Sequence, residues 1–168
     1  MENLFVGYCH TPIGMFYLEC NAQAVVKAYF ADTLDEDAPF EMLKEAPPVL
    51  HQAILQITQY FAGQRQQFDL PLAPVGSSFY QAVWKRLMAI PYGLTTSYGA
   101  LAADLGNAKA SRAVGLANNR NPISIIIPCH RVIGADGDLV GYASGIKRKQ
   151  WLLAWEKNNA PTKSALLF

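Results

Sequence analysis

The sequence predicts an α+β fold in two parts. A small N-terminal antiparallel sheet with one helix precedes a mainly helical C-terminal domain that contains a helix-turn-helix and is winged-helix-like. Three observations carry this. The first thirty residues hold three short runs rich in aromatic and β-branched residues, separated by turn residues. From Ser77 onward the apolar residues recur at helical spacing. Charge divides near the same place: residues 1–74 carry three Lys/Arg against nine Asp/Glu, a net −6, and residues 75–168 carry eleven against four, a net +7. The expected parts are residues 1–74, residues 75–158 and a loose tail over 159–168.

In order, Leu4–Tyr8, Met15–Glu19 and Val25–Ala31 read as a meander with turns at Thr11-Pro12-Ile13-Gly14 and Asn21-Ala22-Gln23. Asp32–Ala46 is acidic and irregular, with one helical turn. Pro48 opens a helix through Ala62, with Leu50, Ala53, Ile54, Ile57 and Phe61 on one face and Gly63 closing it. Phe68–Leu70 reads as a short strand before a proline-marked linker.

Ser77 or Ser78 caps the next helix, whose apolar residues are Phe79, Tyr80, Val83, Trp84, Leu87 and Met88, and Pro91-Tyr92-Gly93 ends it. Thr95–Gly106 gives a short helix with Leu101, Ala102 and Leu105 inside, and another helix follows Asn107. The pair has the proportions of a helix-turn-helix. In its second helix Ala110, Ala113, Val114 and Ala117 share a face, with Arg112, Gly115 and Asn119 opposite. That outer face has one cation and a gap at Gly115 where another molecule's backbone can come close. With the charge of this half it favours a nucleic-acid contact; the plain alternative is a solvated helix with an incidental glycine.

Ile123-Ser124-Ile125-Ile126-Ile127 has strand character and stops at Pro128, which hands the chain to Cys129-His130. Two readings stand side by side: a buried packing thiol, or a nucleophile with an imidazole to help form the thiolate. Gly134–Asp138 carries an Asp-Gly hairpin signal, and the small-residue loop Leu139–Gly145 lets a flat ligand lie against the backbone. The last helix, Lys147–Asn158, buries Trp151, Leu152 and Trp155. Glu156 lies about 40° around that helix from Leu152, on the apolar side. It either has a buried partner, with His130 a candidate, or sits in a frayed last turn in water.

The three cysteines, Cys9, Cys20 and Cys129, are odd in number and lack CxxC spacing, which suits a reducing compartment. Cys9, His10, Cys20 and His51 match no common zinc spacing, so neither metal nor cofactor is expected. No basic start leads into an apolar run, and no apolar stretch reaches membrane-spanning length. A cytoplasmic protein is expected.

Pro128-Cys129-His130-Arg131-Val132 resembles the active-site signature of the O6-alkylguanine-DNA alkyltransferases. Thr96-Ser97-Tyr98, Arg112-Ala113-Val114-Gly115, Asn119-Arg120-Asn121-Pro122 and Gly141-Tyr142 extend the likeness over Ser77–Glu156. The resemblance implies single-use transfer of an alkyl group from O6 of guanine in double-stranded DNA to Cys129, after base flipping and binding through the minor groove. It implies that His130 is a water-mediated base and Glu156 its polariser. Tyr98 would donate its hydroxyl to the purine, Asn121 would brace the cysteine turn, and Arg112 would fill the gap left by the flipped base. Ser111, Arg112, Gly115, Asn119 and Tyr98 would meet DNA, while Tyr142, Ala143, Ser144, Gly145 and Pro128 would line the guanine pocket.

A helix-turn-helix regulator would not explain Cys129-His130, a non-catalytic sensor of alkylated DNA would lack the cysteine, and a cysteine hydrolase would need an oxyanion hole. Two departures stand out: Asn21 lies where some relatives have a zinc ligand, and Ser144 stands where many have glycine. The Ser144 side chain should narrow the pocket, so O6-benzyl substrates should react more slowly than O6-methyl ones. Equal rates for the two substrates, or no change in Ser144→Gly, would contradict this.

Overall fold

The computed structural model describes residues 2–32 and 45–161. Most of the irregular segment expected at Asp32–Ala46, and most of the tail, lie outside these residues. Strands β1 (Phe5–Thr11), β2 (Gly14–Cys20) and β3 (Val25–Phe30) pair antiparallel in that order. The Thr11–Gly14 turn is closed by the Thr11 hydroxyl on the Gly14 carbonyl at 2.6 Å, and Gly14 takes φ 128°, which a side chain rarely adopts. Strand alternation buries Cys9, Phe16 and Leu18 and sets Tyr8 edge-on to Tyr17, with Tyr29 tilted against Tyr17 on its other side.

Helix α1 (Pro48–Phe61) starts with proline at its first position, where no N–H is needed, and buries Leu50, Ala53, Ile57 and Tyr60. The strand expected at Phe68–Leu70 does not form. The pairing occurs further on, where Val25 donates to the Pro71 carbonyl at 2.9 Å and accepts from Ala73 at 2.8 Å. Phe68 and Leu70 instead pack sideways against the core.

The C-terminal part contains α2 (Ser78–Leu87), β4 (Thr96–Ser97), α3 (Tyr98–Asp104), α4 (Ser111–Asn119), β5 (Val132–Ile133) and α5 (Ile146–Asn159). Ser77 caps α2 by accepting from the Tyr80 N–H. The buried stripe of α2 is narrower than its apolar pattern: Val83, Trp84 and Leu87 are inside, whereas Phe79 and Met88 are exposed. Trp84 donates its indole N–H to the Ala117 carbonyl at 2.8 Å, joining α2 to α4. The helix expected over Thr95–Gly106 begins later, because Thr96–Ser97 pairs parallel with Val132–Ile133. That pairing also replaces the hairpin expected at Gly134–Asp138, which is a closed turn after β5. In α4, Val114, Ala117 and Asn118 are buried and Ala113 is not. Among the described residues no helix is long and apolar enough to cross a membrane.

Candidate active site

The isoleucine run is not a strand. The Ala28 N–H donates to the Pro122 carbonyl and the Ser124 N–H to the Ala28 carbonyl, at 2.9 and 2.7 Å, tying the segment to β3. The chain then folds back: Ile127 donates to the Ile123 carbonyl at 3.0 Å, and Ile125 takes φ 69°. A β-branched residue in that region costs about 1–2 kcal/mol, which burial of its side chain offsets. Asn121 spans the turn, donating to the Ile127 carbonyl at 2.8 Å and accepting from the Ile123 N–H at 3.0 Å. Pro128 leads into a single 3₁₀ turn, Cys129–Arg131. β5 follows at once, and its pairing with β4 sets Tyr98, at the start of α3, alongside this turn.

Behind the turn lies a buried ionic cluster. Glu156 of α5 is fully buried, as is His130. Its Oε1 accepts from His130 Nε2 at 2.7 Å, Arg131 Nη2 at 2.9 Å and the Tyr60 hydroxyl at 2.8 Å. Its Oε2 accepts from Arg131 Nε at 2.8 Å and the Gly93 N–H at 3.3 Å. Burial alone would raise the Glu156 carboxyl, but His130 and Arg131 outweigh it and hold the group below the usual carboxylate range. A carboxylate only accepts, so a hydrogen sits on Nε2, and in the neutral ring the lone pair is then on Nδ1. Nδ1 is buried and bonded to no group among the described residues.

Cys129 is 4% exposed. Burial pushes its thiol up, while the Asn121 amide, the Lys149 ammonium and nearby backbone N–H groups pull it down. The upward push dominates, so the thiol is neutral at rest and needs a base when it reacts. Lys149 is fully buried on α5, and its own charge is disfavoured by that burial. Its Nζ donates to the Val140 carbonyl at 3.1 Å, and the Tyr98 hydroxyl donates to the same carbonyl at 2.9 Å.

Tyr98, Ser111, Arg112, Gly115 and Asn119 line one groove of about 310 Å³ together with Val140 and Gly141. A Cβ on Gly115 would meet only the Tyr98 ring, at 3.8 Å, so packing does not require this glycine and the gap serves the open side of the helix. Tyr142 is buried and its hydroxyl has no partner among the described residues, and Ala143, Ser144 and Gly145 form the turn into α5. Pro128 lines a cavity of about 670 Å³ with Tyr92 and Arg131. Cys9 and Cys20 are buried, and burial pushes both thiols up to about 12. No group of three metal-ligating side chains exists among the described residues.

Three residues of this region are not singled out by local sequence pattern. Lys149, Leu152 and Glu156, at i, i+3 and i+7, form the buried stripe of α5, so Lys149 shares the face on which Glu156 stands out. Arg131 was read only as part of the motif. Tyr60 lies three residues after Ile57 on the inner face of α1, where its hydroxyl needed a partner.

Two family models match the chain: 6-O-methylguanine DNA methyltransferase, ribonuclease-like domain, over residues 4–74, and the DNA binding domain of the same name over residues 78–158. A methylated-DNA–protein-cysteine methyltransferase of Methanosarcina acetivorans is 59% identical over 153 residues, 91% of this chain and 98% of its own. One of Mycobacterium leprae is 43% identical over 93% of this chain and 94% of its own. The crystal structure of Mycobacterium tuberculosis O6-methylguanine methyltransferase superposes with a TM-score of 0.83 at 40% identity, covering 99% of this chain and all of that one. The Mycobacterium tuberculosis protein solved in complex with DNA gives 0.82 at 41% identity, covering 98% and 99%.

Proposed function

The chain belongs to the 6-O-methylguanine DNA methyltransferase family, and from that premise we propose how its own residues reverse alkylation damage in DNA. The activity is direct, stoichiometric transfer of the alkyl group from O6-alkylguanine to a protein cysteine, which is Cys129. The observation that carries this reading is the buried Cys129 preceding a buried His130 whose Nε2 is fixed on Glu156 and whose Nδ1 is unbonded.

The O6-alkyl carbon is out of reach inside a stacked duplex, so the nucleotide is rotated out at a cost of about a few kcal/mol. The α4 face enters the minor groove, where Gly115 lets the backbones approach and Ser111 and Asn119 contact the strand. Arg112 fills the stack. The lesion base lies in the small-residue loop of Tyr142–Gly145. The Cys129 thiol proton passes through a water to Nδ1 of His130, and Sγ displaces the guanine oxygen from the alkyl carbon. A C–S bond forms, the C–O bond breaks, and the guanine, which stays in the DNA, takes up one proton from solvent, balancing the one His130 received and later releases. The Tyr98 hydroxyl, on Val140 in the free protein, changes partner to stabilise the departing purine. Water does not cleave the resulting thioether, so one protein repairs one base. The protein acts as a monomer on double-stranded DNA.

Lys149 stabilises the thiolate as it forms and pins the loop through Val140. Lys149→Met should therefore slow alkyl transfer by about 10- to 100-fold, measured with free O6-benzylguanine so that DNA binding does not enter. The function itself is tested by counting guanines restored in an O6-methylguanine duplex against protein added. The count should stop at one per protein; continued turnover would refute the reading.

A further inference from the structure

Resting on the alkyl-transfer reading, we propose that Tyr60, a residue of the N-terminal lobe, is a positioning residue for the reaction. Its hydroxyl holds Glu156 so that Oε1 receives Nε2–H of His130 and the free lone pair stays on Nδ1. Tyr60 stands 96 positions before Glu156 in the chain, is fully buried, and donates to Oε1 at 2.8 Å. The same oxygen also accepts from His130 and Arg131 Nη2, so the phenol takes acceptor capacity that would otherwise go to the imidazole.

The hydroxyl has no other task. The ring packs edge-on to Phe61 and Tyr92 and tilted against Phe68, with centroids 5.1, 6.0 and 5.6 Å away, contacts a phenylalanine would also make. Trp155 bonds the Tyr60 backbone carbonyl, not the side chain. Burial, and then Glu156, push the phenol well above its ordinary range, so it stays a donor at every working pH. The other groups facing the pair are Arg131 of the 3₁₀ turn, Tyr92 and the Gly93 N–H after α2, and Tyr142 before α5. Lys149 acts on the thiol from α5. Among these only Tyr60 belongs to the N-terminal lobe, and through it that lobe shares in the chemistry.

Without the phenol, Glu156 bonds Nε2–H more strongly and favours the protonated ring, which is useless as a base. In full-length Tyr60→Phe, the acidic limb of the rate profile with free O6-benzylguanine should therefore move up by about half to one pH unit. The rate near about pH 6 should fall about 3- to 8-fold, and near about pH 9 stay within about twofold. Affinity for duplex DNA should not change. In a Glu156→Gln background, Tyr60→Phe should shift nothing further. A fluorotyrosine at position 60 keeps the shape and donates more strongly, so it should move the limb the opposite way; it also serves if Tyr60→Phe does not fold. Unshifted profiles in the folded variants overturn the inference while leaving alkyl transfer standing. A wild-type protein that takes up no alkyl group sinks the functional reading first.

Discussion

Replacing Glu156 by glutamine is expected to slow alkyl transfer by about 10²- to 10⁴-fold, the range of a lost general base, and to destabilise the fold by about 3–5 kcal/mol. Both effects come from one buried carboxylate. It fixes the tautomer of His130, and among the described residues it is the only anion that meets the Arg131 guanidinium, which also donates to the Ile90 carbonyl at 2.6 Å. A glutamine amide presents N–H groups where these donors need an acceptor, leaving a buried cation unpaired. The pH dependence has a definite sign. The folded carboxyl is held below its unfolded value, so its contribution is fully present above the ordinary glutamate range of about 4.3 and is lost as pH falls below it. Thermal melts of the wild type and Glu156→Gln should thus differ widely at neutral pH and converge only in acid. Melts that differ equally at all pH values would contradict the assignment.

Arg112→Ala is expected to lower transfer from an O6-methylguanine duplex by about 10²-fold while leaving reaction with the free base within about twofold. Arg112 is exposed on the groove with Gly115 and Asn119 and makes no contact with the ionic cluster. It can help only by occupying the space that an extruded nucleotide leaves. Parallel rate measurements on the two substrates check this, and equal losses on both would instead place Arg112 in the chemistry.

The sequence was most legible where local pattern and tertiary contact agreed. The three strands and α1 followed from β-branched runs, turn residues and the proline at Pro48. The outward face of α4 followed from helical spacing, which does not depend on what packs against it. Legibility failed where distant segments compete for the same backbone groups. Ile123–Ile127 has every local mark of a strand, yet β3 takes only its first residues and Asn121 folds the rest into a turn. Thr96–Ser97 left its helix because Val132–Ile133 offered a partner. In the site, Glu156 was found because a carboxylate on an apolar stripe is conspicuous. Lys149 lies on that same stripe but is one of eleven cations in its half and does not stand out among them, and Tyr60 looks like an ordinary core aromatic because only the fold reveals what its hydroxyl meets.

The central claim is that Cys129 accepts the alkyl group. Intact mass and peptide mapping after incubation with an O6-methylguanine duplex test it most directly. Cys9 and Cys20 are internal controls, since both are buried with thiols raised to about 12. The account predicts a gain of one methylene, once per molecule, mapped to Cys129 and absent in Cys129→Ala. A methyl group on Cys9 or Cys20, or DNA binding with no adduct on Cys129, would contradict it.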